Sequence, residues 1–151
     1  MVDDIARRRL AELARHLTTG RITNDDFEDK RPSSSERALH DIYFYGLWSL
    51  YDDFIAHRLT GPWALSPDGR AWVARIILFL RSGQPYRYPR LTGLRAMPVL
   101  LLSLITFGWF GRFWVSHKWS LGDQSLWPFF SREDYERALA HPVYLNRLTG
   151  V

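Results

Sequence analysis

Ser66 and Pro67 stand at one end of an apolar stretch and Gly83 at the other, and this start-and-stop punctuation constrains the chain more than any other feature. A serine side chain accepts from the free amides of a first helical turn, proline suits the first helical position, and glycine takes the left-handed exit. Between these marks Trp72, Val73, Ile76, Ile77 and Leu80 recur at helical spacing, so the stretch is a helix.

The same grammar predicts further helices. One runs from about Asp4 to Thr18, with Ile5, Leu10, Leu13 and Leu17 near one face and Gly20 beyond it. A short one starts at Thr23 or Asn24, with Asp25 and Asp26 at the positive end of its dipole. Ser33 and Glu36 have the spacing of a capping box opening the longest helix, which reaches about Leu59 and stops at Gly61-Pro62. Leu39, Tyr43, Leu47, Leu50 and Phe54 form its stripe, and Phe44, Trp48, Tyr51 and Ile55 populate the opposite side, so this helix is expected at the centre. Residues 84–91 hold two prolines and predict an extended connector, followed by a helix over 97–109. Ser131 caps a last helix over 132–140, stopped by His141-Pro142, and Trp127-Pro128-Phe129-Phe130 should lay aromatics across the core.

The expected fold is therefore all-α, a compact bundle of about five main helices. Lys30-Arg31-Pro32 and the serines after it read as a linker between an N-terminal helical hairpin, residues 1–32, and a helical core domain, residues 33–151, that ends in an aromatic-rich segment. With 151 residues, 46% of them hydrophobic and 15% aromatic, burial can offset the ordering entropy of the chain. Cysteine is absent, which excludes disulfides, thiol nucleophiles and cysteine-bound zinc or iron–sulfur centres. No apolar signal region follows the N-terminal arginines, so a cytoplasmic chain is expected, with a peripheral place at the inner membrane as the alternative.

Charge is unevenly spread. Residues 1–57 carry 8 basic and 11 acidic side chains, a net of −3, whereas residues 58–118 carry 9 basic and 1 acidic, a net of +8. Either the two halves pair internally or the basic half meets phosphate. Within it, residues 96–111 have no charge and would extend about 24 Å as a helix, short of a ~30 Å hydrocarbon core. A buried core helix is one reading. Peripheral attachment is the other, with Arg87, Arg90, Arg95, Arg112, Trp114 and Lys118 meeting an anionic surface.

Among residues able to carry chemistry, Asp53 and His57 stand at i and i+4 of the expected long helix, a carboxylate beside an imidazole on one face. The pair could be a ligand or base constellation of a small metal-dependent hydrolase, or simply a hydrogen bond locking that helix. A metal site needs about three ligands, and His117 or Asp123 would have to supply the third. His40-Asp41 has the form of the adjacent pair in metal-dependent phosphohydrolases. Tyr86-Arg87-Tyr88-Pro89-Arg90 interleaves rings and guanidiniums as a surface for single-stranded nucleic acid does, though a packed connector explains it equally, and nucleic acid is not the expected partner. No phosphate-binding glycine loop or nucleophile elbow occurs, and no cofactor is expected.

Residues 10–32, LAELARHLTTGRITNDDFEDKRP, resemble the short helical module called SHOCT: a leucine-spaced helix, a glycine turn, an Ile-Thr step and an acidic helix ending in Asp26-Phe27-Glu28. The resemblance covers about a sixth of the chain. It implies an interaction or oligomerisation element without catalytic residues, and the residues it assigns to contact are Leu10, Leu13, Leu17 and Phe27. The whole chain also resembles a family of small bacterial proteins, through Leu78-Phe79-Leu80-Arg81-Ser82 and Trp127-Pro128-Phe129, a likeness that implies no activity. The leading expectation is a non-enzymatic bacterial protein that works through a protein partner or self-association.

Overall fold

Thr23, Ser66 and Ser131, three of the cap residues read from the sequence, open helices of the structure, a computed structural model that describes residues 2–52, 54–88 and 122–142. All regular elements among the described residues are helical. Helix α1 (Asp4–Thr18) begins at Asp3, whose side chain accepts from Ala6 N, and exits through Gly20 at φ 65°. Helix α2 (Asn24–Asp29) takes Thr23 as its cap: Thr23 Oγ1 accepts from Asp26 N at 3.1 Å, and Asp26 Oδ2 accepts from Thr23 N at 3.3 Å. Short α3 (Arg37–Asp41) runs on into a π turn, Ile42–Leu47, and a 3-10 turn, Trp48–Leu50. Helix α4 (Pro67–Arg81) is capped by Ser66, and α5 (Arg132–Ala140) by Ser131.

These helices share one core. Leu10, Leu13, Leu17 and Phe27 are buried with Leu39, Ile42, Leu47, Ile76, Phe79, Leu80 and Phe129. Each such side chain contributes roughly 1.5–3 kcal/mol by leaving water. Helices α1 and α4 meet along a long seam where Ala11 and Ala14 are completely buried, small side chains allowing close approach. The seam is antiparallel, because Arg7 near the start of α1 reaches the end of α4: its guanidinium lies 5.0 Å from the centre of the Phe79 ring, and Nη1 donates to Gln84 O at 2.7 Å. The aromatic C-terminal segment closes the core as expected. Trp127 stacks on Trp72 with centroids 5.3 Å apart, and Phe129 packs edge-on against Phe79 and Tyr135.

Two sequence expectations are corrected. The Ser33–Glu36 capping box does not form, because the Glu36 carboxylate is taken by Arg7, whose Nε donates to it at 2.9 Å and whose Nη2 makes a second ion-paired contact, and by Asp3 N at 2.8 Å. Helix α3 consequently opens at Arg37 with no side-chain cap. The long helix to Leu59 ends at Leu50, and Tyr51 is fully extended. Gly46 lies where a Cβ would sit 2.9 Å from Ile76 and from Trp127, and its carbonyl accepts from Trp72 Nε1 at 3.1 Å. The π turn thus coincides with the closest approach of α4 and Trp127. The expected helix over 97–109, and with it the charge-free run over 96–111, falls outside the described residues. No described helix is long and apolar enough to cross a membrane.

Candidate functional site

Beyond Leu50 the backbone has no helical partners, and one side chain replaces them. Asn24, 1% exposed at the first position of α2, donates through Nδ2 to Asp52 O at 2.8 Å and Ile55 O at 3.1 Å and accepts at Oδ1 from His57 N at 2.8 Å. Its own amide donates to His57 O at 3.1 Å. Asp52 Oδ1 accepts from Phe54 N at 2.8 Å, an Asx-type turn that sharpens the bend. The loop is therefore held by buried hydrogen bonds, yet Phe54 is 92% exposed and Ile55 58% exposed. Tyr45, Trp48 and Trp63 are exposed on the flanking turns, so one stretch, 45–63, carries five of the large exposed apolar side chains among the described residues.

His57 lies beneath this face. Its Nδ1–H donates to Ile55 O at 2.7 Å, and its Nε2 is buried without a hydrogen-bond partner among the described residues. The imidazole packs against Trp63, ring centres 4.4 Å apart. Tyr51 is packed on Phe27 at the inner edge, and burial, with the Tyr43 phenol and the Glu28 carboxylate nearby, pushes its own phenol well above the ordinary value. The Glu28 carboxylate stands near the Tyr51 phenol, and the Asp52 carboxylate binds the Phe54 amide, so two carboxylates lie at this loop.

The residues proposed for chemistry do not converge here. Asp53 and His117 lie outside the described residues. Asp123 caps the 3-10 turn Gln124–Leu126, where the hydroxyl and amide of Ser125 bind its Oδ1 and, with the hydroxyl foremost, hold its carboxyl below the usual range. Asp41 accepts from Arg37 Nε at 3.0 Å while His40 Nδ1 lies 3.3 Å from its other oxygen, so that carboxylate serves α3. Among the described residues, no three His, Asp or Glu side chains are grouped to hold a metal ion.

Leu10, Leu13, Leu17 and Phe27 fill the chain's own core, so a contact face has to be built from other residues. Arg87 is exposed, with Nη1 3.6 Å from Asp134. Arg90, Arg95, Arg112, Trp114 and Lys118 are outside the described residues. Tyr88 is buried, its hydroxyl bonded to Phe129 O at 3.0 Å, and burial, with the Asp123 charge, pushes its phenol up to about 12. Tyr86 packs on Tyr88 and Phe79 and accepts from Trp127 Nε1 at 3.2 Å. The connector thus spends both rings on the core, and the stacking surface read from its sequence is not present at those two residues.

Phe54 and Ile55 were expected on the apolar sides of a central helix, and Asn24 as a cap. The usable signal was local: Asp52-Asp53 before Phe54 favours a turn over a continuing helix. The chain matches no family of known proteins, no curated protein and no solved structure.

Proposed function

We propose that this chain acts through protein contact rather than catalysis, with the 45–63 stretch as its contact face and a second copy of the chain as the occupant. The observation that carries the reading is the Asn24 clamp: it orders a loop whose two most prominent side chains, Phe54 and Ile55, are held mostly in solvent. Large apolar side chains held out on an ordered backbone mark interaction sites, because the partner gains their burial without ordering the loop.

Charge selects the occupant. An aromatic face with carboxylates beside it suits a basic, apolar surface, and residues 64–118 of this same chain, outside that face, have that composition, with 8 basic and 1 acidic side chains. The resemblance of residues 10–32 to an oligomerisation module points the same way, although its leucines lie in the core. A bacterial, cytoplasmic setting fits this reading, and attachment to an anionic inner-membrane surface is its competitor.

Sedimentation velocity of the full chain across concentration and salt tests it. Reversible self-association that weakens as salt rises, and that Phe54→Ser with Ile55→Ser abolishes, is expected. A chain that stays monomeric, or one that instead co-sediments with anionic vesicles through the same two residues, overturns the choice of occupant.

A further inference from the structure

The segment that reads from the sequence as a linker between α2 and α3 is pinned at both ends. The Arg31 amide donates to Glu28 O at 3.2 Å, and the Ser34 hydroxyl donates to Asp3 Oδ2 at 2.7 Å. Between this segment, α1 and α3 lies a partly open cavity of about 200 Å³. Buried Leu10, Leu39 and Tyr43 form its apolar wall, and Arg31, Ser33 and His40 its polar rim. The Arg31 guanidinium lies 4.2 Å from the centre of the Tyr43 ring and 5.6 Å from that of Phe44. Stacking of this kind uses the flat face of the guanidinium and leaves its in-plane N–H groups available. Among the described residues no carboxylate or carbonyl accepts from them, and the Ser33 hydroxyl is equally without a partner. The carboxylates on the adjoining elements are engaged elsewhere: Glu28 with the Tyr51 phenol, and Asp41 with Arg37 and, 3.3 Å away, His40 Nδ1.

A cation held on an aromatic face, an unused hydroxyl beside it and an apolar wall below them define what fits. A guanidinium fork matches a carboxylate through two parallel N–H···O bonds, and one fixed charge balances a monoanion, whereas a phosphate dianion would stay half compensated. The wall suits a small hydrocarbon or aryl body, whose transfer out of water adds to the ion pair. We propose that this cavity binds a small apolar carboxylic acid, its carboxylate on Arg31 and the Ser33 hydroxyl and its carbon body against Leu10, Leu39 and Tyr43. His40 completes the rim, with Nε2 the nitrogen left to a ligand because Nδ1 faces Asp41. Ring stacking and the pinned backbone hold the donors in place beforehand, so binding orders little. The cavity uses none of the residues of the 45–63 face, and it stands whether or not the chain self-associates.

The test reads the backbone amides of the full chain in 1H–15N spectra during titration with phenylacetate, with its uncharged isostere phenylacetamide, with inorganic phosphate, and with sodium chloride at matched ionic strength. Saturable shifts of the Ser33, Ser34 and His40 amides with phenylacetate and not with chloride are expected, with the amide binding roughly tenfold more weakly. Arg31 is exposed, so Arg31→Gln should cost roughly tenfold in phenylacetate affinity without disturbing the core, and Arg31→Lys should restore little, because an ammonium has no fork. Ser33→Ala should cost roughly threefold, and Arg132→Gln on α5 should leave the response intact. The acid–amide comparison is made on the unaltered chain, so it decides the matter even where a variant loses its fold. Equal binding of acid and amide, a response that chloride reproduces, phosphate binding tighter than phenylacetate, or full affinity in Arg31→Gln each overturns the proposal.

Discussion

The α1–α4 seam and the 45–63 stretch each rest on one buried polar residue, and they use it in opposite ways. At the seam Arg7, fully buried, ties α1 to Glu36 and to Gln84 while Leu10, Ala11, Ala14 and Leu17 of α1 and Ile76, Phe79 and Leu80 of α4 turn inward. In the loop Asn24 ties α2 to Asp52, Ile55 and His57 while the neighbouring apolar side chains turn outward. The first arrangement spends its hydrophobic surface on stability. The second secures the backbone chiefly with hydrogen bonds and keeps the hydrophobic surface of Phe54 and Ile55 for something else, which is the physical sense in which a site differs from a core.

The comparison breaks most sharply at Glu36. Glu36→Ala leaves the Arg7 guanidinium buried without its carboxylate, and the expected loss is about 3–5 kcal/mol in urea unfolding. The 45–63 face should unfold with the rest, since Ile42, Tyr43 and Leu47 at its root belong to the same core. A loss under ~1 kcal/mol would mean that the seam does not depend on this pair.

Gly46→Ala comes next. Its added methyl would lie 2.9 Å from Ile76 and Trp127, and overpacking of this kind costs about 1–3 kcal/mol. Asn24→Ala should cost a similar ~1–3 kcal/mol by leaving buried loop groups unpaired, but with a different signature. Amide exchange should rise across residues 52–57 while the α1–α4 seam stays protected, and self-association should fall because the face has lost its order. Uniform exchange across the whole chain would show that clamp and core are one unit.

These two positions also show where the sequence was legible. Helix starts were readable because capping is local: Ser66, Ser131 and Thr23 each sit within three residues of the amide they satisfy. Burial of Trp127 and Phe129 was readable from composition. What could not be read was competition at a distance. Glu36 has the right spacing to cap α3, yet an arginine 29 residues away holds it, and Asn24 looks like a helix cap while its side chain serves a loop some 30 residues on. Phe54 and Ile55 fit a helical stripe as well as any core residue does, because periodicity reports spacing and is silent on where the helix ends.

Replacing Phe54 and Ile55 by serine should change stability by no more than about 0.5 kcal/mol, because neither side chain is buried in the folded chain. Unfolding midpoint and sedimentation measured on the same sample separate the two regions cleanly. Preserved stability with lost association places the function in the loop. A substantial loss of stability would instead make these residues part of the core.

The smallest expected effect lies at the helix starts and sets the acid limit of the seam. The Ala6 amide and then the Ser34 hydroxyl hold the Asp3 carboxyl below its ordinary value of 3.8, and the Lys30 ammonium, followed by the Thr23 amide, does the same for Asp26. A carboxyl whose pKa is lowered on folding stabilises the folded state fully above its ordinary value, and that contribution disappears as pH falls through the lowered one. Both carboxylates are partly open to water, so the change is slight, and it belongs to α1 and α2. Asp3→Asn should therefore flatten the fall in unfolding midpoint below about pH 4 while leaving the midpoint's pH dependence near neutrality unchanged. If the acid limb keeps its full slope in that variant, the Asp3 cap is not what acid dissolves.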